Sequence, residues 1–578
     1  MKTVRLAHVL SVVVLLSLSA SGAEIKEKWV MYGANFMQDG SADALISVMR
    51  DAKAAGATNM YVDDPQFGFI NDLPPKYLAN VKRVRDEADK ISIEIAPGCF
   101  PFGYSGGYLV QDLNLAAGIP VRNARFMVKN GAASPDSSSA PTIPNPGFDE
   151  ADQNGPVGWT ILAAAGKNMD LDKKTKHSGA ASLAMYNLNA LPAEAKGQCR
   201  VWQDLKVEPF QYYHLSMWIK SQGVRAEAED YLVITSSGGK RRNCYTNLGV
   251  RPTQDWTLHE VTFNTLEGTS INLSIGVSDA GGGTIWFDDV KLEPAGLCNV
   301  LRSATKPFIV TSADGSVTYE EGKDFAPVAD PNLGKGPESD SYYIHFPTFS
   351  WHQGPAIKLL PGSRIKDGDR LLVSFYHTHK VYNDQVLVAF EDPKVYELMD
   401  KQIRGLVKAF GTKSFYMRYD EIRIAGWEEQ PGGAHLTPGQ LLAANVSRGV
   451  QIIRKYAPDA RIYVWSDMFT PLHNARKVDG PGYYLCNGDF YGAWEGLPRD
   501  VVIVNWGQGR EGLAWFADRG CRQIISASGD GEPQQSVRSA VTASKGVPNV
   551  IGIMYTSWSK NYRGIGEFFK AVNAWPKE

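Results

Sequence analysis

Residues 59–98 read NMYVDDPQFGFINDLPPKYLANVKRVRDEADKISIEIAPG, and this stretch carries the pattern that decides the fold. Residues 59–63 form a short apolar run typical of a strand. Residues 77–90 place apolar side chains at helical spacing, and residues 91–97 form a second strand-like run. Strands separated by a helix of this length predict parallel βα units, so the predicted fold class is α/β.

The same alternation continues in both directions from this stretch. Upstream, residues 29–36 favour a strand and residues 42–55 a helix. Downstream, the rhythm returns after Asp392, with helices at 395–410 and 439–456 and strands at 415–420, 461–467, 501–506, 523–527 and 551–558. A ninth strand candidate, 369–377, adjoins the atypical middle of the chain, and eight remain without it. Eight such units predict a (β/α)8 TIM barrel. A doubly wound open sheet is the alternative, but no Gly-rich phosphate loop follows the first strand.

The middle of the chain has a different character. Residues 99–142 are rich in Gly, Ser, Pro and Ala and are predicted to be a linker. Residues 143–295 contain short alternating runs separated by Gly, Asn and Asp, a pattern typical of an antiparallel β-sandwich, here jelly-roll-like. Residues 296–384 are predicted to be a β-rich connection. The barrel is therefore predicted in two parts, 24–98 and 385–578.

Composition limits the possible partners. The chain has 578 residues, is 43% hydrophobic and has a formal net charge of −2, which excludes a disordered chain and gives no basic footprint for nucleic acid. Aromatic residues make up 11%, including 14 Trp and 25 Tyr, and such side chains pack well on sugar rings. We therefore expect an oligosaccharide or polysaccharide partner, no nucleic acid and no cofactor.

The first 23 residues resemble a cleavable export signal. Lys2 and Arg5 precede an apolar run at 9–18, and small residues end at Ala23. The run is shorter than the roughly 20 apolar residues that span a bilayer. We expect cleavage near Ala23 and a periplasmic or secreted protein without a transmembrane segment.

The barrel prediction places chemistry at the carboxyl ends of the strands. The fourth strand ends in Asp420 and Glu421, which can both face the pocket only if the strand stops there. Glycoside hydrolysis needs a protonated carboxyl beside the leaving oxygen, and Glu421 is predicted to be this general acid. The alternative is an Asp–Glu pair bound by Arg418 or Arg423.

Carboxylates, indoles and one amide at the other strand ends are predicted to bind the substrate. They are Asp63, Asp64, Glu94, Trp465, Asp467, Asn505, Trp506 and Trp558. Strand-end Asp residues also commonly cap helices, which is the alternative for each of them. His377 and His379 end the strand candidate at 369–377 and share one face. We expect His377 to have a polar role near the cleft rather than to bind a metal.

Several segments together resemble glycoside hydrolase family 20, the β-N-acetylhexosaminidase-like enzymes. The resemblance covers residues 24–98 and about 385–578. It rests on NMYVDDPQFGF at 59–69, IEIAPG at 93–98, Asp392 to Trp427 around the Asp-Glu pair, VWSD at 464–467, VNW at 504–506 and Ser557-Trp558. It implies a retaining mechanism in which the substrate's acetamido group attacks. Asp420 would orient that group, and Glu421 would protonate the leaving group.

The sequence departs from this family near the pair. Residues 416–419 read YMRY where the family has His-x-Gly-Gly, and Cys99 replaces a His. The family's Tyr after the seventh strand is absent, and Tyr483, Tyr484 or Tyr491 would have to replace it. A glycosidase for another sugar, using Asp64, Asp467 or Glu94 as second carboxylate, is an alternative. A glycan-binding protein without activity is another.

The predicted sandwich resembles the carbohydrate-binding modules of the xylan- and glucan-binding type. The resemblance rests on NPGF at 145–148, Gly158-Trp159, HSG at 177–179 and WFDDV at 286–290. Asp149, Asp288 and Asp289 are candidate ligands of a structural Ca²⁺, with simple turn positions as the alternative.

Overall fold

The computed structural model describes residues 25–575, apart from 163–165, 226–230, 237–238, 245–247, 336–350, 382–384, 431–432, 434 and 481. The predicted export signal lies outside the described residues. Eight parallel strands form a closed barrel in chain order, and the last pairs with the first. They are β1 (Glu27–Gly33), β2 (Asn59–Asp63), β3 (Glu94–Cys99), β4 (Ser414–Met417), β5 (Arg461–Trp465), β6 (Val502–Asn505), β7 (Gln523–Ser528) and β8 (Val550–Thr556).

Helices pack outside this barrel with capping residues that the sequence supplies. They are α1 (Asp39–Ala54), α2 (Pro75–Ile91), α3 (Pro393–Phe410), α4 (Pro438–Tyr456), α5 (Gly509–Ala517), α6 (Pro533–Ser544) and α7 (Ile565–Asn573). Asp392 caps α3, where its carboxylate accepts a hydrogen bond from the Lys394 amide. Thr437 and Gln440 form a reciprocal capping box at the start of α4.

The prediction of a (β/α)8 TIM barrel is wrong in its helical layer. The connection between β5 and β6 contains 3₁₀ turns at Asp467–Phe469 and Ala493–Gly496 but no α-helix in its described part, residues 466–480 and 482–501. The run is rich in Gly, Pro, Asp and Asn, which do not sustain a helix. Much of the remaining chain is antiparallel sheet rather than helix. The molecule is therefore a closed parallel barrel with an incomplete helical layer and extensive antiparallel sheet.

Two five-stranded antiparallel sheets come from the middle of the chain. One contains, in spatial order, Gln254–Asn264, Tyr212–Gln222, Thr284–Pro294, Ser182–Met185 and Met169–Asp172. The other contains Arg242–Cys244, Leu232–Ser236, Ser270–Ser278, Gln198–Lys206 and Thr160–Leu162. Alternate side chains of both sheets, such as Ile219, Phe287 and Ile275, form one buried core, because successive strand residues point to opposite faces.

A third antiparallel sheet is formed by the two chain segments that connect the sandwich strands to the barrel segments. Its long strands are Ile119–Lys129 and Arg370–His377, which pair with each other. The first of these belongs to the segment predicted as a linker, so residues 99–142 contribute sheet rather than only loop. The Gly and Ser content of that segment hid an 11-residue strand whose apolar side chains, including Phe126 and Val128, join a separate core.

Aromatic side chains fill the inside of the barrel. The Tyr61 and Tyr416 rings stack with centroids 3.9 Å apart, and Trp29 packs on Tyr463 at 4.6 Å. Trp465 lies above Tyr416, toward the carboxyl end of the strands. The polar groups at the carboxyl ends of the strands therefore lie next to packed aromatic rings.

Among the described residues, no helix is both long and apolar enough to cross a membrane.

Candidate functional site

Arg418 lies directly after β4 and points into a buried ion pair. Its Nη1 lies 2.8 Å from Oδ2 of Asp63, the last residue of β2, and each side chain is only 4% exposed. Burial raises the pKa of Asp63, and the Arg418 guanidinium opposes that rise. Arg418 is therefore an ion-pair partner of Asp63 at the carboxyl ends of β2 and β4.

Two carboxyl groups at the mouth are buried without full hydrogen bonding. Oδ1 of Asp420 and Oδ1 of Asp467 have no hydrogen-bond partner among the described residues. Burial raises the pKa of Asp420 to about 6, with a further rise from the Glu421 charge and an opposing effect of Arg418. Burial and the charge of Asp420 raise the pKa of Asp467 to about 7. At neutral pH these two groups can therefore hold and release protons.

Glu421 occupies a left-handed turn at the end of this strand. Its φ is 53°, a conformation that costs free energy for a residue with a side chain. The Glu421 amide donates to Oδ2 of Asp467 at 2.9 Å, and the Asn474 side-chain amide donates to the same oxygen. Asp467 thereby holds the backbone turn that presents Glu421.

The Glu421 side chain is paired with a guanidinium. Its Oε1 lies 2.9 Å from Nη2 of Arg423, and its Oε2 accepts a hydrogen bond from the Tyr104 hydroxyl. The Glu421 side chain remains 27% exposed, more than the other carboxyls of the mouth. The ion pair between Glu421 and Arg423, which the sequence predicted as an alternative, is thus present. To donate a proton, the Glu421 side chain must first separate from Arg423.

Gln385 joins the loops that surround this carboxylate. It lies in the chain that returns from the third sheet and is fully buried. Its Nε2 donates to the backbone oxygens of Gly103 and Glu421, and its Oε1 accepts from Nη1 of Arg423 at 2.7 Å. A Cβ on Gly103 would lie 1.8 Å from the Asp420 carbonyl oxygen, so the two loops meet as closely as backbone allows.

An aromatic wall borders the carboxyls. The Trp465 and Trp558 rings lie 6.4 Å apart at 34°, and Trp558 is 58% exposed. Asp530 orients the Trp558 segment by accepting the Trp558 amide at 2.7 Å. His473 packs edge-on against Trp506, the residue that follows β6. Indole faces beside carboxyls suit a ligand with both apolar C–H surface and hydroxyl groups.

Three predicted site residues have hydrogen-bond partners outside the carboxyl cluster. Asp64 accepts the amides of Phe36 and Gln66 and so caps a 3₁₀ turn, the alternative considered for strand-end aspartates. Asn505 is buried, and its amide donates to Gln523. Glu94 begins β3 instead of ending it, so it lies at the opposite end of the barrel, where it accepts the Ser414 hydroxyl. Its placement in the site was wrong because the strand runs on to Cys99.

His377 and Tyr491 also lie outside this cluster. The His377 ring stacks on Tyr212 at 3.6 Å between sheet strands, where it is fully buried and contacts Asn264. His377 belongs to the third sheet, and its role near the cleft stays a prediction. Tyr491 is exposed on the β5–β6 connection and packs against Trp494.

Tyr104, Gln385 and Asn474 were missed by the sequence reasoning. Tyr104 lies in the predicted linker 99–142, and Gln385 directly follows the predicted β-rich connection 296–384. Both are more than 30 positions from Glu421 in the chain. No local pattern marks them, because each acts through a contact that only folding creates. Tyr104 and Gln385 are polar residues close to where the insert joins the two barrel segments, and this position is the signal that the sequence offers.

The predicted Ca²⁺ ligands serve mainly as hydrogen-bond acceptors. Asp149 accepts the Ala180 and Ala181 amides, Asp288 accepts the His177 amide at 2.7 Å, and Asp289 contacts the His177 ring. Among the described residues, no group of three or more His, Cys, Asp and Glu side chains is arranged for a metal. These contacts do not favour Ca²⁺ there, and the site stays a prediction.

Asp467→Asn is expected to stabilise the protein more at high pH than at low pH. The folded-state pKa of about 7 lies above the unfolded value near 3.9, so the folded state loses stability as pH rises through 7. Asn keeps an acceptor for the Glu421 amide and removes the charge. The gain in unfolding free energy should be on the order of 2 kcal/mol at pH 8.5 and small at pH 4. Denaturant titrations at both pH values test this, and an equal effect at the two would contradict it.

Comparisons with known proteins give partial likenesses. No protein-family model matches the chain. The tRNA nuclease WapA of Bacillus subtilis (strain 168) is 27% identical over an alignment of 209 positions, which covers 33% of this chain and only 9% of that protein. The chain thus spans less than a tenth of the length of that curated relative.

Solved structures similar to this chain include carbohydrate-binding modules and glycoside hydrolases. A rhamnosidase from Novosphingobium sp. PP1Y is 11% identical, with 95% of this chain and 58% of that chain covered and a TM-score of 0.31. A family 61 carbohydrate-binding module in complex with β-1,4-galactotriose is 18% identical over 26% of this chain and 95% of its own, at a TM-score of 0.21. A Flavobacterium johnsoniae chitobiase is 13% identical over 35% of this chain and 32% of its own, at a TM-score of 0.25. These likenesses do not single out family 20, and at such TM-scores they assign no function.

Proposed function

We propose that the protein is an exported glycoside hydrolase whose reaction centre comprises Asp420, Glu421 and Asp467. The observation that carries the proposal is the Asp420 carboxyl, whose pKa burial raises to about 6 beside the ion-paired Glu421. Glycosidic bond cleavage needs a group that holds a proton at working pH next to a carboxylate that stabilises positive charge on the sugar. The Trp465–Trp558 wall adds a surface for the sugar ring.

Within this proposal, Asp420 donates the proton to the leaving oxygen. Glu421, held by Arg423 and Tyr104, provides the negative charge that faces the developing oxocarbenium ion. Asp467 is a positioning residue, because it is fully buried and acts through the Glu421 amide. The assignment made from the family resemblance, with Glu421 as donor and Asp420 orienting an acetamido group, is the competing arrangement.

Turnover of a panel of aryl glycosides tests the hydrolase proposal. The panel should include N-acetylglucosaminide, glucoside, galactoside, xyloside and rhamnoside, because the geometry does not select the sugar. We expect turnover of at least one of them. Absence of turnover across the panel and across oligosaccharides of the same sugars would contradict the proposal.

The pH profile gives a separate prediction. Since the donor must be protonated, kcat/KM should fall as pH rises above about 6, the pKa to which burial raises Asp420. The measurement is kcat/KM between pH 4 and 9 on the best substrate. A rate that stays level from pH 5 to 9 would contradict Asp420 as the donor.

A glycan-binding protein without activity is the second candidate. The Glu421–Arg423 ion pair favours it, because it neutralises the most exposed carboxylate of the mouth. Glycan binding with no cleavage would support this candidate. Under this alternative, Arg423→Gln should change binding but create no turnover.

A further inference from the structure

A groove opens on the side of the barrel where the helical layer is incomplete. It lies between the 3₁₀ turn Ala493–Gly496 of the β5–β6 connection and helix α5, and its volume is about 540 Å³. This volume falls within the range of small-molecule and cofactor pockets. The groove is distinct from the carboxyl cluster, which lies at the strand ends.

Two tryptophans form the walls of this groove. Trp494 and Trp515 meet edge to face at 5.3 Å, and both are only partly buried. Tyr491 extends the row, since its ring packs edge-on against Trp494 at 4.9 Å and is 45% exposed. Neighbouring aromatic rings that are exposed to water are unfavourable in free energy. Such a row of rings therefore indicates a surface that a ligand covers.

Cationic groups accompany the rings. Arg499 and Arg519 both line the groove, and the Arg519 guanidinium stacks over the Trp515 ring at 3.5 Å. Lys477 lies over the Tyr491 ring at 5.2 Å. Asp518 is the one carboxylate among the groove-lining residues. The groove therefore presents aromatic faces within a net positive rim, and a guanidinium binds carboxylate or sulfate groups in a bidentate manner.

We propose that this groove is a second binding site, for a glycan chain that carries acidic groups, either uronate carboxylates or sulfates. Sugar rings would pack on Trp494, while Arg499 and Arg519, which is stacked on Trp515, bind the acidic substituents. A neutral apolar peptide would leave both arginines uncompensated, and free inorganic anions would leave the indoles uncovered. The site does not depend on catalysis at the barrel mouth.

The main test is affinity electrophoresis in gels containing polygalacturonate, dextran sulfate or neutral dextran. We expect retardation by at least one acidic polymer and none by neutral dextran. The double variant Arg499→Gln/Arg519→Gln should raise the apparent Kd at least about tenfold, because both charged contacts are lost. Both side chains are exposed, so this variant should fold. The matched control is Arg538→Gln, an exposed arginine on α6, which should bind as the wild type does.

Two further measurements separate this site from other surfaces. Trp494→Ala should weaken binding, whereas Trp218→Ala, on the outer face of an insert sheet beside His177, should not. Cys521 lines the groove and is half-buried, while the other five cysteines are buried. A bound acidic glycan should therefore slow maleimide labelling of Cys521. Unchanged binding in the arginine variant, equal retardation by neutral dextran, or unprotected Cys521 would each overturn the proposal, whatever the aryl glycoside panel shows.

Discussion

Replacing Arg418 by methionine is expected to lower the free energy of unfolding by about 3–5 kcal/mol. The substitution keeps most of the side-chain volume but removes the guanidinium from Asp63, which then remains in a site where only 4% of its side chain is exposed. Removing one partner of a buried ion pair leaves the other with an uncompensated desolvation cost. Urea denaturation at pH 7 measures the effect.

Two controls separate this effect from general perturbation. Asp63→Asn/Arg418→Met, which removes both charges, should recover part of the loss. Lys82→Met breaks the exposed pair with Asp86 on α2 and should change stability by less than about 1 kcal/mol. A loss of similar size in Arg418→Met and Lys82→Met would show that the buried pair contributes little.

Asp420→Asn is expected to lower kcat/KM by about 10²–10⁴ for glycosides with poor leaving groups, such as natural disaccharides. For dinitrophenyl glycosides the loss should be much smaller, since that leaving group departs without protonation. The amide keeps the shape of the carboxyl, so the fold should be unaffected. The measurement is the dependence of kcat/KM on leaving-group pKa in wild type and variant.

Glu421→Gln provides the comparison that distinguishes the two role assignments. If Glu421 stabilises the positive charge, Glu421→Gln should lower kcat/KM for all substrates. The size of that decrease should not depend on the leaving-group pKa. If the dependence on leaving-group pKa arises in Glu421→Gln instead, Glu421 is the donor and the arrangement implied by the family resemblance holds. If neither variant shows it, general acid catalysis by this pair is excluded.

Much of the candidate site could be predicted from local sequence, but only as far as local rules apply. Asp420, Glu421, Trp465 and Asp467 follow short apolar runs, and strand ends meet at one edge of a parallel barrel. Glu94 was misplaced because IEIAPG does not itself show where pairing starts. Pairing with β2 begins at Glu94 and runs toward Cys99, which puts Glu94 at the other end.

The roles within the site depended on contacts between distant residues. The ion pair of Glu421 with Arg423 could be predicted as an alternative because Arg423 lies only two positions from Glu421 in the sequence. Gln385 and Tyr104, in contrast, reach Glu421 across 36 and 317 positions of sequence. Residue types suggest chemistry, but the burial that raises the pKa of Asp420 arises only after these segments meet.

The amino-acid sequence by itself determined the strand segments of the barrel and where several of its helices begin, because these properties depend on side chains within a few positions of each other. It did not reveal the strand Ile119–Lys129. Local composition accounts for the α-helix missing from the described part of the β5–β6 connection, residues 466–480 and 482–501, because that run is rich in Gly, Pro, Asp and Asn. The tertiary structure alone decided that Gln385 and Tyr104 contact Glu421. It likewise decided that His377 lies in a separate sheet and that Arg423 forms an ion pair with Glu421. Each of these depends on the free energy of burying charge and apolar surface between segments that are far apart in the chain.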